Sequence, residues 1–221
     1  MIFSNKLVVT FVCLSSLLTS INCGPYSPQE ATVTVRPEQK FQTITGWEAV
    51  AQVGQNHSEA FPRYRDKLFD EAVNDLGINR LRLEIKSGAE NPTDYYAQWR
   101  AGQITELQYN EKRHEVVNDN DDPTVTDPKG FQFSATDSVI ESIVLPMRSL
   151  LAERGESLYV NLNFVDFGVN RGDSNIRHND RAEEYGEFML AAFTHFQGKY
   201  GFVPDAIEVI LEPDNRTGWT G

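Results

Sequence analysis

Glu212, followed by Pro213, is where this 221-residue sequence offers its clearest chemistry. Residues 206–211 read as a strand on which Glu208, Ile210 and Glu212 alternate onto one face, opposite Ile207, Val209 and Leu211. A carboxyl at a strand end, sharing its face with a second carboxylate, can be kept protonated by burial and like charge. That makes a general acid at neutral pH. Cleavage of a glycosidic bond needs two carboxyl groups flanking it. A Glu-Pro step is also a common exposed strand end, and the dipeptide alone does not separate the two readings.

Other polar residues fall at matching places. Arg80, Arg82 and Glu84 share one face of the segment 78–84, where Arg82 suits either a role beside Glu212 or a sugar hydroxyl, or a structural ion pair with Glu84 or Glu208. Asn163 and Asp166 lie at the mouth of the strand read over 158–164 and suit either substrate contact or loop hydrogen bonding. Trp47 and Trp219 have the rings to stack on sugar faces, or equally to fill a core. The four histidines show no metal-ligand spacing, and no Ser-His-Asp or Cys-His set is visible. The run Asn118 to Asp122 lacks the Gly and distal Glu of an EF-hand loop, so it reads as a solvated loop rather than a calcium site.

The elements that would position these residues alternate. Residues 31–35 form a short alternating β segment and 41–50 a second β-like stretch. A helix from about Ser58 follows, with Phe61, Tyr64, Leu68, Ala72, Val73 and Leu76 at helical spacing and Gly77 as its stop. After the strand at 78–84 comes a long polar segment, 85–134, without sustained period, whose length suits the wall of a binding cleft. A helix over 137–154 ends at Gly155 and leads to the strand at 158–164. A further helix starts near Asp180, where Asp180 and Glu183 have capping-box spacing, and stops at Gly201 before the last strand.

This alternation predicts an α/β fold with parallel strands and helical crossovers. No Gly-rich phosphate loop follows a strand, against a nucleotide-binding doubly wound sheet. The strands alternate polar and apolar instead of running apolar throughout. The pattern fits a closed barrel whose polar face lines the interior and its C-terminal mouth, with an antiparallel sheet bearing one wet face as the other reading.

The N-terminus reads as an export signal over residues 1–23: Lys6, then an apolar run at 7–18 too short to span a bilayer as a helix, then small and polar residues. A secreted or cell-surface protein is expected, with a lipid anchor at Cys23 as the alternative end state and no transmembrane span in the mature chain. Cys13 lies inside the signal, so the mature chain has no internal disulfide and relies on its core. A net charge of -12 argues against nucleic acid and anionic membranes as partners.

Taken in order, these segments resemble glycoside hydrolase family 30, a family of the clan A retaining β-glycosidases. Phe41-Gln42-Thr43-Ile44-Thr45-Gly46-Trp47 is similar to its first barrel strand, and Gly77 to Leu83 to its second, where an arginine points into the site. Ile207 to Pro213 is similar to the fourth strand, whose Asn-Glu-Pro carries the acid/base. The segment 31–35 fits the first strand of the family's side β-sandwich. The resemblance implies the N-terminal half of a (β/α)8 TIM barrel over 41–221, holding strands 1–4, with residues 24–40 as linker and sandwich strand.

It also implies a glycan substrate, Glu212 as acid/base, and no metal or organic cofactor. Leu211 stands where the family has the Asn that contacts the sugar 2-hydroxyl, and Asn215 is the candidate substitute. The family's nucleophile ends a seventh strand, which this sequence does not contain, so the 221 residues alone are expected to be inactive. The competing expectation, favoured by Leu211, is a non-catalytic glycan-binding or surface protein on the same scaffold.

Overall fold

Side-chain alternation organises a sheet of four strands. A computed structural model describes residues 32–52, 54–167, 174–209 and 211. The expected signal segment, Cys23, Glu212, Asn215 and Trp219 lie outside these described residues. The chain divides into two units, Met1–Gln42 and Thr43–Gly221. In the first, the described residues hold a turn closed by the Gln39 amide on the Arg36 carbonyl at 3.0 Å. The expected β segment is not paired as a strand over residues 32–35, where Val33 and Val35 are exposed.

The second unit contains β1 (Trp47–Val50), α1 (Phe61–Asp70), β2 (Ile78–Lys86), α2 (Tyr95–Arg100), α3 (Glu106–Lys112), α4 (Ser134–Val139), α5 (Leu145–Glu153), β3 (Tyr159–Val165), α6 (Ala182–Tyr200) and β4 (Ala206–Glu208). All strand pairs are parallel, in the order β1-β2-β3-β4. Among the described residues the sheet therefore advances one strand at a time, without the reversal of order that marks a doubly wound sheet.

Leu81, Leu83 and Ile85 of β2 and Val160, Leu162 and Phe164 of β3 are buried in one cluster with the helices. α1 contributes Phe61 and Phe69, with Val73 from the π-helical turn Glu71–Asp75 that extends it. α4 and α5, joined by the π-helical turn Ile140–Val144, contribute Val139, Ile143, Met147 and Leu151. α6 adds Phe188, Met189, Ala192 and Phe196. Gly77, Gly155 and Gly201, read as helix stops, all have φ near +70°, the left-handed conformation glycine adopts without a Cβ penalty.

Several boundaries differ from the sequence reading. In α1 and the turn after it the spacing placed Tyr64, Leu68 and Leu76 on the buried side, but they are exposed, and Phe69 is buried instead. The Asp180–Glu183 capping box does not form: α6 begins at Ala182, and Arg181 caps it without a side-chain hydrogen bond. β4 is shorter than expected, and Ile207 in it and Val209 just past it are exposed because no described helix covers them.

The segment 85–134 departs most. It is an ordered insert between β2 and α4, carrying α2, α3 and a bridge between Glu90 and Phe131. Its helices are fixed by local caps. Asp94 accepts from the Ala97 amide, and Thr105 and Gln108 form a reciprocal capping box.

Candidate functional site

The polar face of the sheet is built by register. Arg82 lies opposite Asn161, Glu84 opposite Asn163, and Asn163 in turn opposite Glu208. Neighbours in a parallel pair point to the same face, so Glu84, Asn163 and Glu208 form one row across three strands. Arg82 sits one pleat below, its guanidinium 3.6 Å from Glu84. Of the two roles read for Arg82, the ion pair with Glu84 is present in the structure. Arg80, a further pleat down, lays its guanidinium 4.0 Å over the Tyr159 ring.

Asn163 is 0 % exposed, and neither its amide nitrogen nor its oxygen has a hydrogen-bond partner. Asp166, just past β3, is also buried and accepts from the Ser87 hydroxyl at 3.0 Å, which ties the β3 loop to the start of the insert. Trp47 stands apart from these residues. It pairs with Ile78 at the N-terminal end of β2 and is exposed. From there Lys86 is roughly 25 Å further along β2, at about 3.3 Å per residue.

Lys86 opens onto a cleft of about 280 Å³ at the C-terminal ends of β1 and β2. Gln52, Glu84, Tyr96, Trp99, Tyr109 and Arg113 are among its walls. The Gln52 side-chain oxygen accepts from the Glu84 amide at 3.1 Å, which fixes the loop after β1 against β2. Trp99 and Tyr109 stack with ring centres 5.0 Å apart, and the His57 ring meets Trp99 edge-on at 4.9 Å.

Burial pushes the Lys86 amine down to about 8; Glu84 opposes this and Arg113 adds to it. Burial, with Arg100 and Lys86, also lowers the His57 pKa, against the pull of Glu106. Aromatic walls with amide, carboxylate and cationic groups at the carboxyl ends of parallel strands make a cleft suited to a polar ligand bearing apolar faces.

Sequence reasoning found the polar face and offered the 85–134 segment as a cleft wall, but named none of the residues in that wall. Its signal was the set Tyr95, Tyr96, Trp99 and Tyr109 within an otherwise polar stretch, with Tyr96 and Trp99 one helical turn apart. A larger groove of about 550 Å³ lies between α4 and α6, lined by Phe131, Phe133, Asp137 and His195, and contains no strand residue. There His195 and Lys199 both bond Asp137, at 2.8 and 2.9 Å.

Among the described residues no three His, Cys, Asp or Glu side chains are arranged to hold a metal ion. In the 118–122 run, Asn120 accepts from the Asp122 amide and Asp122 from the Thr124 amide, so these side chains cap their own loop. No described helix is long and apolar enough to cross a membrane. Compared with known protein families, with curated proteins and with solved structures, the chain has no match in any of the three.

Proposed function

We propose that the chain is the first half of a (β/α)8 barrel that hydrolyses O-glycosidic bonds by a retaining mechanism. The observation that carries this reading is the row Glu84-Asn163-Glu208, which reaches the aromatic-walled cleft at Glu84. Sequential parallel strand order and a single helix-covered apolar face support the barrel.

In this proposal a sugar lies across the carboxyl ends of the strands, against Asn163 and the cleft wall. Glu212, four residues beyond Glu208, protonates the glycosidic oxygen and later activates water. The nucleophile comes from a later strand, its carboxyl about 5 Å from that of Glu212. No cofactor is needed for that chemistry. Export to the cell exterior, read from residues 1–23, fits a glycan substrate.

The test is hydrolysis of aryl β-glycosides and oligosaccharides by the product of the whole reading frame. Glu212→Gln is expected to lower kcat by at least ~100-fold, the lower range for a general acid, while oligosaccharide binding persists. Equal turnover by native and variant protein would remove Glu212 from the mechanism. A second reading is non-catalytic glycan binding on this scaffold. Leu211 favours it, being 4 % exposed and apolar at the position before Glu212. It is recognised by oligosaccharide binding to the native protein without turnover.

A further inference from the structure

The insert is pinned to the chain just before α6, and a cluster of carboxyl groups that the proposed function does not use lies where it meets α6. Its return segment is tied to the chain before α6: the Val116 amide donates to the Ser174 hydroxyl at 2.8 Å, and the Asn118 amide to the Asn175 side chain at 3.0 Å. The Glu90 carboxyl bonds the His178 ring with one oxygen and accepts the Asp119 amide with the other.

Facing this segment from α6 are Glu184 and Glu187, 5 % and 4 % exposed. Neither carboxyl oxygen of Glu187 has a hydrogen-bond partner of good geometry, the Thr126 side chain being its one nearby polar support, and the same holds for one oxygen of Glu184, which has Asn118 nearby, and for one of Asp119. Buried acceptors without donors are costly when charged, and proximity of like charges adds to that cost.

We propose that Glu187 is a proton-operated latch: protonated, it lets the 116–126 segment rest on α6, and ionised, it drives that segment off. The groups facing it are Glu184 from its own helix, Asp119 and Thr126 from the segment, and Glu90, engaged by His178, from the start of the insert; Arg181 and Asn118 act on its neighbour Glu184. Of these, Asp119, Glu184 and Glu90 oppose ionisation and the Thr126 side chain favours it.

Burial first, then Asp119, raises the Glu187 carboxyl to about 7, and burial with Glu90 also raises Glu184. A carboxyl with a raised pKa in the closed form holds its proton there and gives it up when the segment leaves. Opening is therefore favoured as pH rises from the ordinary carboxylate value toward 7, and levels off above that. The insert also carries Tyr96, Trp99 and Tyr109, so release loosens that wall of the cleft whatever the cleft binds.

Hydrogen exchange of the whole 221-residue chain at pH 5 and pH 8, corrected for intrinsic rates, tests the latch. The amides of Val116, Val117, Asn118 and Asp119 are expected to lose at least about tenfold protection at pH 8, one unit of pKa difference being worth a factor of ten. The amides of 188–196, in the core part of α6, are the internal reference and are expected to change little. Glu187→Gln should abolish most of the response, and Glu184→Gln should shrink it. Corrected protection in native protein that is equal at the two pH values overturns the proposal. So does a loss shared equally by 188–196, or a full response in Glu187→Gln. The native profile decides alone if the variants do not fold.

Discussion

A buried amide that satisfies neither its donor nor its acceptor lowers stability, by about 1–3 kcal/mol in measured cases. Asn163 is in that state while flanked in register by Glu84 and Glu208. Such a residue is expected to trade stability for function. Asn163→Leu, close in volume and apolar, should unfold at a higher denaturant concentration than native, by about 1 kcal/mol, and bind oligosaccharide more weakly. A destabilised variant with unchanged binding would mean that Asn163 serves packing alone. At this scale the sequence was informative about faces and uninformative about partners. Alternation put Arg82, Glu84 and Asn163 on one side of the sheet. Arg82 had a sugar, Glu212, Glu84 and Glu208 as candidates, and only the fold shows the guanidinium 3.6 Å from Glu84. Trp47 could not be placed because the β-like stretch at 41–50 does not reveal where pairing begins. Pairing starts at Trp47 itself, which leaves the ring at the end of the sheet far from Lys86.

The helices and long strands were legible because a sustained apolar period must match a continuous buried face. The insert was not, because its helices of six and seven residues are too short to show a period. They are held by caps and by rings: Tyr96, Trp99 and Tyr109 meet one another at centroid distances of 5.0 to 5.7 Å. Thr105 and Gln108 have capping-box spacing, a helix start within the segment that sequence reasoning passed over. Closure of the insert depends on close backbone approach. A Cβ on Gly130 would stand 2.2 Å from the Asp119 Cβ and 3.0 Å from its Cα, atoms that cannot move without shifting the segment. Gly130→Ala should therefore cost about 1–3 kcal/mol, the usual range for overpacking, as read from denaturant unfolding. It should also raise exchange at Val117 and Asp119 at pH 5, where the latch alone would keep them protected. An unchanged midpoint would show that the segment tolerates displacement.

At the level of the whole molecule, the sheet has a buried interior and two edges that no described residue pairs with. Among the described residues β1 pairs only with β2 and β4 only with β3, so each presents an unpaired row of backbone donors and acceptors. Apolar side chains accompany both edges: Trp47 and Val50 on β1, Ile207 and Val209 at and just past β4, all more than a third exposed. Edge strands of this kind recruit further strands unless charge, proline or a covering element blocks them. The net charge of -12 opposes association at long range but is screened beyond roughly 8 Å at physiological salt. The 221 residues on their own are thus expected to dimerise or aggregate, measurable as a molar mass above 25.0 kDa by light scattering on size-exclusion chromatography. Ile207→Lys with Val209→Lys should shift the population toward monomer by charging the β4 edge, whereas the same pair of lysines on exposed α1 positions should not. A native monomer at all concentrations, melting cooperatively above ~50 °C in the range of ordinary mesophilic domains, would mean that both edges are already covered and that no further strands are needed to complete the sheet.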